Sequence, residues 1–576
     1  MRFGQLELDP SKNPAILDTA TWDPEAAWQL VSSLGEIYWQ SVQEAVSTGS
    51  PLPAARGFTP YTSSCATHAE GISFLASLAD GQDVFVHIGP AVGTVLGKPV
   101  GSRSLQAGSR LALYKADAAT IDSFLRQLHP AKGPRALGAI PRLGIGTRMT
   151  TTMWPAIWQA VSEHGFAANA IQNSVRELYL LDDLLEGRPP ERNYGFSFGV
   201  IESGYAGSTF EGLWTAGALA ALKDDSYPSF GADADHIQVK RGASGRDHAK
   251  RLLTASRHYT FFTLDMSDVL DYQALSGSPS EAADLLADRI PDATHRRALV
   301  SYHRQKRRLG GDDHRPDEVT IGRLVGKYWR ALNALEELHS HIIQLRRDAP
   351  FDLELSIDEF PPGLAPFDCL TSDVELAFVL LEAQRRQMHL SHIAPNLGVQ
   401  KGSDYACPDG LRGLGERTGR LSRIAADLGV MLDVHSGDDL GATTRSALRD
   451  ATHGRLHFKI SPCLQLLFAE VLAEHHEELF QRWWNDALAY AEREAASGSS
   501  LAAECLRRYA ASADQTPSVH HDIFHHYSFA FVGRRDERGQ FLNREAFYSL
   551  SDSFYDAYQA RLSRYLGCLA QELFRS

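Results

Sequence analysis

Between Pro141 and Ser461 the chain alternates short β-type runs with longer stretches in which apolar residues recur every three to four positions. Eight runs have the length and the β-branched or aromatic content of strands: Leu143–Met149, Phe166–Gln172, Phe230–His236, Tyr259–Met266, Asp352–Asp358, His389–Pro395, Val430–Ser436 and Leu456–Ser461. Helical spacing appears among them at Trp154–Glu163, Asp373–Arg386 and Leu411–Leu428. Eight strand–helix units predict an α/β fold, a (β/α)8 barrel of the TIM type, with a doubly wound open sheet as the alternative. Gly195–Ile201 fits an extra hairpin arm. The stretch from Asp268 to Pro350 reads as mostly helical, and its basic run Tyr302–Arg308 reads as a solvated helix face or, as a second reading, a carboxylate contact.

The flanks have a different rhythm. Residues 1–138 suggest a small α/β domain, with helices at Pro24–Val46 and Ile121–Leu128 and strands at Asp83–Ile88 and Arg110–Tyr114. The barrel is expected over residues 139–465. A helical extension follows over 466–576, with helices at Leu464–His475, Glu478–Ala495, Ala502–Tyr509 and from Glu545 onward. It either caps the barrel or joins two copies in a homo-oligomer. The glycine-rich Gly89–Gly101 segment lacks both GxxxxGK[ST] and GxGxxG, so it reads as a turn rather than a phosphate loop.

Composition narrows the partners. Fifty-seven basic against 71 acidic residues leave a net charge of −14, which argues against nucleic acid or an anionic membrane as partner. No run approaches the ~18 apolar residues of a membrane helix, and the first residues lack a signal-peptide core. The six cysteines are scattered without a CxxC pair, as expected of reduced thiols in a cytoplasmic protein.

Barrel enzymes carry their chemistry at the C-terminal ends of the strands. Period-two alternation puts Asp352, Glu354, Ser356 and Asp358 on one face, Asp433 and His435 on one face, and His457, Lys459 and Ser461 on one face. Singly, each has a structural reading: a hydrogen-bonded histidine, an ion-paired lysine. Jointly, polar faces on three strands need a polar cavity. Phe230–His236 ends in the pair Asp235-His236, so two imidazoles, His236 and His435, suit a metal with open positions. The cluster His520–His526 reads as a surface or packing feature, with His525 as a substrate contact.

An ordered set of segments then carries a resemblance: QNSVRE (Gln172–Glu177), FGADADH (Phe230–His236), FTLDMSD (Phe262–Asp268), LELSIDE (Leu353–Glu359), QKGSDY (Gln400–Tyr405), VHSGDD (Val434–Asp439) and LHFKIS (Leu456–Ser461). The chain resembles the tagaturonate epimerase family, bacterial metal-dependent enzymes that interconvert D-tagaturonate and D-fructuronate. The resemblance implies a small-molecule sugar or sugar-acid substrate and inversion of C4 by retro-aldol chemistry. It also implies a divalent cation (zinc, manganese, nickel or cobalt) on His236 and His435, with Asp235 as proton acceptor and Glu354 as proton donor. Gln400 stands where the family pattern has a glutamate, as a third ligand. Gln172, Arg176, Asp265, Lys401, His457, Lys459 and His525 are the candidate substrate contacts. Phe360–Pro366 replaces the family's Pro-Thr-Ser-Pro segment. Two alternatives remain: a metal-dependent aldolase that releases its fragments, and a non-catalytic sugar-binding relative.

Overall fold

The computed structural model describes residues 1–18, 23–195, 199–360, 364–400 and 402–574. Its centre is a closed barrel of parallel strands: β1 (Arg142–Gly146), β2 (Ala167–Ser174), β3 (Phe230–Gln238), β4 (Phe261–Asp265), β5 (Asp352–Ile357), β6 (His392–Pro395), β7 (Met431–Val434) and β8 (Leu456–Ile460). Neighbours pair in chain order, and β8 closes on β1 with His457 opposite Arg142. That closure rules out the open sheet. A helix follows every strand; the first, Trp154–His164, has Pro155 in its first turn and stops at Gly165 in the left-handed region.

Alternation along the strands sorts the two faces. Leu143, Ile145, Phe262, Leu264, Leu353, Leu355 and Phe458 belong to the apolar core shared with the helices. Asn169, Asp233, Thr263, Glu354, His392, Asp433, His457 and Lys459 are also buried, and they fill the barrel interior. Ions in such a place are tolerated only if paired. At the N-terminal end Arg142 meets Asp352 at 3.0 Å, and Asp352 also accepts from the Leu137 and Gly138 N–H groups.

Two expectations about elements are corrected. The helix expected from Pro24 to Val46 is two helices, Pro24–Ser33 and Glu36–Thr48, because Leu34 is extended and Gly35 caps the second. The stretch after β4 contains helices Pro279–Arg289, Ala293–His303 and Glu318–Arg346, but also a hairpin, Arg307–Leu309 with Asp312–His314. Gly310 and Gly311 turn it with φ of +62° and +95°, the pattern of a tight two-residue turn. The basic run therefore leaves its helix near Arg304 and continues into a strand. The Gly195–Ile201 candidate falls on a second hairpin, Arg192–Gly195 with Gly199–Glu202; residues 196–198 lie outside the described residues.

Residues 58–115 form an antiparallel sheet. One face packs on the two N-terminal helices; the other, through Leu75, Phe85 and Tyr114, joins the barrel's core. The C-terminal helices Glu477–Ala496, Ser500–Ala511, Asp522–Tyr527 and Asp552–Phe574 wrap the barrel. The last one docks on the outer helices, with Gly567 against the His164 ring, Tyr558 donating to Leu464 O (3.4 Å) and Arg445 donating to Glu572 (2.8 Å). Of the two readings of this extension, capping is what a single chain shows. All six cysteines are unpaired, and among the described residues no helix is long and apolar enough to cross a membrane.

Candidate active site

The site begins with an irregularity in β3. In a regular strand Asp235 and His236 would point to opposite faces. Here the register with β4 slips between Ala234 and Ile237, and His236 has φ of +54°. Few non-glycine residues adopt that conformation. It turns both side chains into one cavity of about 230 Å³ at the C-terminal end of the barrel. Across it, β7 ends and delivers His435, followed by Ser436 at φ +54°. The two imidazole rings lie 4.4 Å apart.

Each ring has one nitrogen held by a carboxylate. His236 Nδ1 is 2.8 Å from Asp235 Oδ1, and His435 Nε2 is 2.7 Å from Glu354 Oε1. The other two nitrogens, His236 Nε2 and His435 Nδ1, are buried, and His236 Nε2 has no hydrogen-bond partner among the described residues. Asp358, just beyond β5, puts Oδ2 within 3.0 Å of His435 Nδ1. Donor atoms of His236, Asp358 and His435 all lie within 4.8 Å of one another. Two imidazoles backed by carboxylates plus a third carboxylate form a donor set that fits a divalent first-row metal.

Below them sits a buried ammonium. Lys459 Nζ contacts Glu354 Oε2 (2.6 Å), Thr263 Oγ1 (2.7 Å), Asp235 Oδ1 (2.8 Å) and Asp233 Oδ2 (3.2 Å). Burial would deprotonate it, but the Asp233, Asp235 and Glu354 carboxylates hold its pKa well above the usual lysine value. Burial also opposes ionisation of Asp235 and Glu354. His236 and Lys459 overcome this at Asp235, Lys459 and His435 at Glu354, and both groups stay well below the usual carboxylate range. Burial dominates elsewhere, raising Asp233 to about 7 and Asp433, beside Glu354, well above the carboxylate range. His435, despite burial, is lifted to about 10 by Asp358 and Glu354.

Of the residues singled out in the sequence, Gln172, Arg176, Asp235, His236, Gln400, His435, Lys459 and His525 line the cavity. Three others do not. Glu354 is 0% exposed and lies behind His435 and Lys459. His457 is buried deep in the barrel, its Nδ1 2.8 Å from Asp433 Oδ2, and its ring packs on Phe261. Asp265 turns away at the end of β4 and accepts from the Ser267 N–H. Gln400 is on the wall but outside the His236–Asp358–His435 group, and Lys401 lies outside the described residues.

The strand-end rule, applied to β1 and β2, would also have found Arg148 and Glu177. Arg148 has φ of +52°, and Asn173 fixes its backbone by accepting from its N–H (2.7 Å) and donating to its carbonyl (3.0 Å). Its guanidinium lines the cavity and meets Glu177 at 3.1 Å. Arg176 is committed to both oxygens of Glu359, at 3.1 and 2.9 Å. The short C-terminal helix roofs the cavity with His525 and His526; His525 Nε2 is 3.4 Å from Asp439, and Phe529 packs edge-on against Tyr205.

Comparison with known proteins agrees with this architecture. Two structures of the fructuronate-tagaturonate epimerase of Cohnella laeviribosi, native and complexed with two glycerols, match over 93% of this chain and 99% of that one. Identities are 20% and 21%, with TM-scores of 0.62 and 0.66. At that identity they show the fold. No curated protein sequence matches the chain. The tagaturonate epimerase family profile matches residues 61–568, which takes in most of the N-terminal sheet, the whole barrel and its roof. The chain therefore belongs to the tagaturonate epimerase family.

Proposed function

We propose that this chain interconverts tagaturonate and fructuronate by inverting C4, with a divalent cation held by His236, His435 and Asp358. The observation that carries the reading is the buried cluster in which His236 Nε2, without a hydrogen-bond partner among the described residues, lies close to His435 Nδ1 and Asp358 beside an ionised Asp235. A bound cation would supply Lewis-acid stabilisation of negative charge on a substrate oxygen.

The carbon to be inverted lies β to the ketone, so its hydrogen is not acidified. Cleaving the adjacent C–C bond is the feasible route. The β-hydroxyl loses its proton, an aldehyde forms, and the other fragment keeps the electron pair as an enediolate. Rotation of the aldehyde and re-formation of the bond invert the centre. Asp235, ionised and on the cavity wall, accepts the hydroxyl proton. Lys459, 2.8 Å from Asp235, steadies the oxygen during the transfer. Glu354, set under the wall, acts through His435 and Lys459 instead of touching substrate. Arg148 is placed to meet the sugar's carboxylate, a planar partner that suits a guanidinium.

The test is a metal-supplemented assay on tagaturonate, fructuronate, tagatose and fructose, read by product stereochemistry. Conversion of tagaturonate to its C4 epimer, without free aldehyde, is expected. Release of an aldehyde fragment would point to the aldolase reading. Absence of bound metal together with absence of metal-stimulated turnover would point to a sugar-binding protein.

A further inference from the structure

A second concavity, of about 500 Å³, lies between helices Ala293–His303 and Glu318–Arg346 and shares no lining residue with the active site. Arg296, Arg297, Arg304 and Arg315 rim it, and Glu318 is the one carboxylate on its wall. Its floor is apolar, with Leu286 and Val300.

These arginines differ from their neighbours in partners. Lys306 and Arg308 pair with Asp313, and Arg289 pairs with Asp288. Among the described residues the four rim arginines form no ion pair with a carboxylate. Arg296 donates to the Ile290 and Pro291 carbonyls at 2.6 and 2.7 Å, and Arg297 approaches Thr294 Oγ1 at 3.4 Å. Asp317, a carboxylate on which Arg304 acts electrostatically without an ion-pair contact, accepts from the Thr320 N–H as a helix cap. In a chain of net charge −14, four guanidiniums without an ion-pair contact share one hollow with a single carboxylate, Glu318, on its wall, so positive charge predominates there.

The hairpin that lies between Arg304 and Arg315 in the chain is anchored. The Gly310 N–H donates to Asp427 (2.8 Å) and Arg423 donates to Gly310 O (3.1 Å), which ties the hairpin to the barrel's outer helix. A rim of planar guanidinium forks suits phosphate oxygens, which such groups bind in pairs.

We propose that this groove binds a phosphate-bearing metabolite, its phosphates on the arginine rim and its apolar part on the Leu286–Val300 floor. The experiment is calorimetric titration of the full chain with inorganic pyrophosphate and with ADP, at 0.05 and 0.15 M salt. Wild type, R297A/R304A and R297K/R304K are compared. Arg297 and Arg304 are exposed, so both pairs of substitutions keep the unfolding midpoint and the epimerase KM. Binding to wild type at both salt levels is expected, at least tenfold weaker in R297A/R304A and intermediate in R297K/R304K. Tighter ADP than pyrophosphate identifies a nucleotide-like ligand, and equal affinities identify a free polyphosphate. The proposal is overturned if neither probe binds wild type, if binding vanishes at 0.15 M salt, or if R297A/R304A binds as well as wild type.

Discussion

At the scale of single residues, the site depends on a few side chains placed by unusual backbone. His236 and Asp235 share the cavity because of a left-handed residue inside a strand. Removing the carboxylate without changing its shape separates chemistry from folding: Asp235→Asn should lower kcat by roughly 10²–10⁴ while leaving the thermal midpoint in place. Metal analysis divides the ligand candidates. His435→Ala and Asp358→Asn should each lower cation affinity by roughly 10–100-fold, whereas Gln400→Ala, outside the three-residue group, should keep the bound metal. The residues most legible in the sequence were those at strand ends with ionisable side chains: Asp235, His236, His435 and Lys459. Glu354 was visible too, but alternation gives its face and not its depth. Its burial behind His435 and Lys459 follows from closing the barrel, which no local pattern encodes. Asp358 stood on the same alternating face, yet its approach to His435 depends on how β5 and β7 are set across the barrel mouth.

At the scale of elements, all eight barrel strands were readable because each is a short apolar or alternating run set between helical stretches. What escaped was local: the break at Gly35, the Gly310–Gly311 hairpin and the β3 irregularity. The first two had a glycine signal; the third had none, because His236 is strained by its surroundings and not by its type. One helix offers a test of pairing strength. Burial would raise the Glu382 carboxyl, but His303 at 2.8 Å and Arg385 at 2.7 Å overcome it and bring it to about 2. A depressed carboxyl contributes stability that is complete above its unfolded value, near 4.5, and is lost as pH falls toward 2. Urea unfolding should therefore show Glu382→Gln less stable at pH 7 by a few kcal/mol, with the gap to wild type closing between pH 4.5 and 2.

At the scale of the whole molecule, distant parts of the chain hold the roof in place. Arg544 is fully buried and donates to the Pro14 carbonyl, to Ala206 O (3.1 Å) and to Ser208 Oγ (3.4 Å). Gln540 accepts from the Glu7 N–H, and Glu545 accepts from Asn13. Arg544→Ala would leave buried carbonyls unpaired and open a void. A loss of roughly 2–4 kcal/mol is expected, with a higher KM as the roof loosens, measurable by denaturation and by steady-state kinetics. None of this long-range lacing was legible in the sequence, since Arg544, Gln540 and Glu545 find their partners hundreds of positions away in the chain.

The roof also sets an order of events during synthesis. The proposed cation ligands end at His435 and the barrel closes at Ile460, but His525, His526 and Phe529 arrive only later. At roughly 5–20 residues per second, the ligand set spends several seconds assembled and uncovered on the ribosome. In that interval the mouth would be open to ions, and the finished roof would slow both entry and loss. A cation supplied during translation in vitro should load faster than the same cation added to the completed chain, measured by the metal retained after rapid desalting.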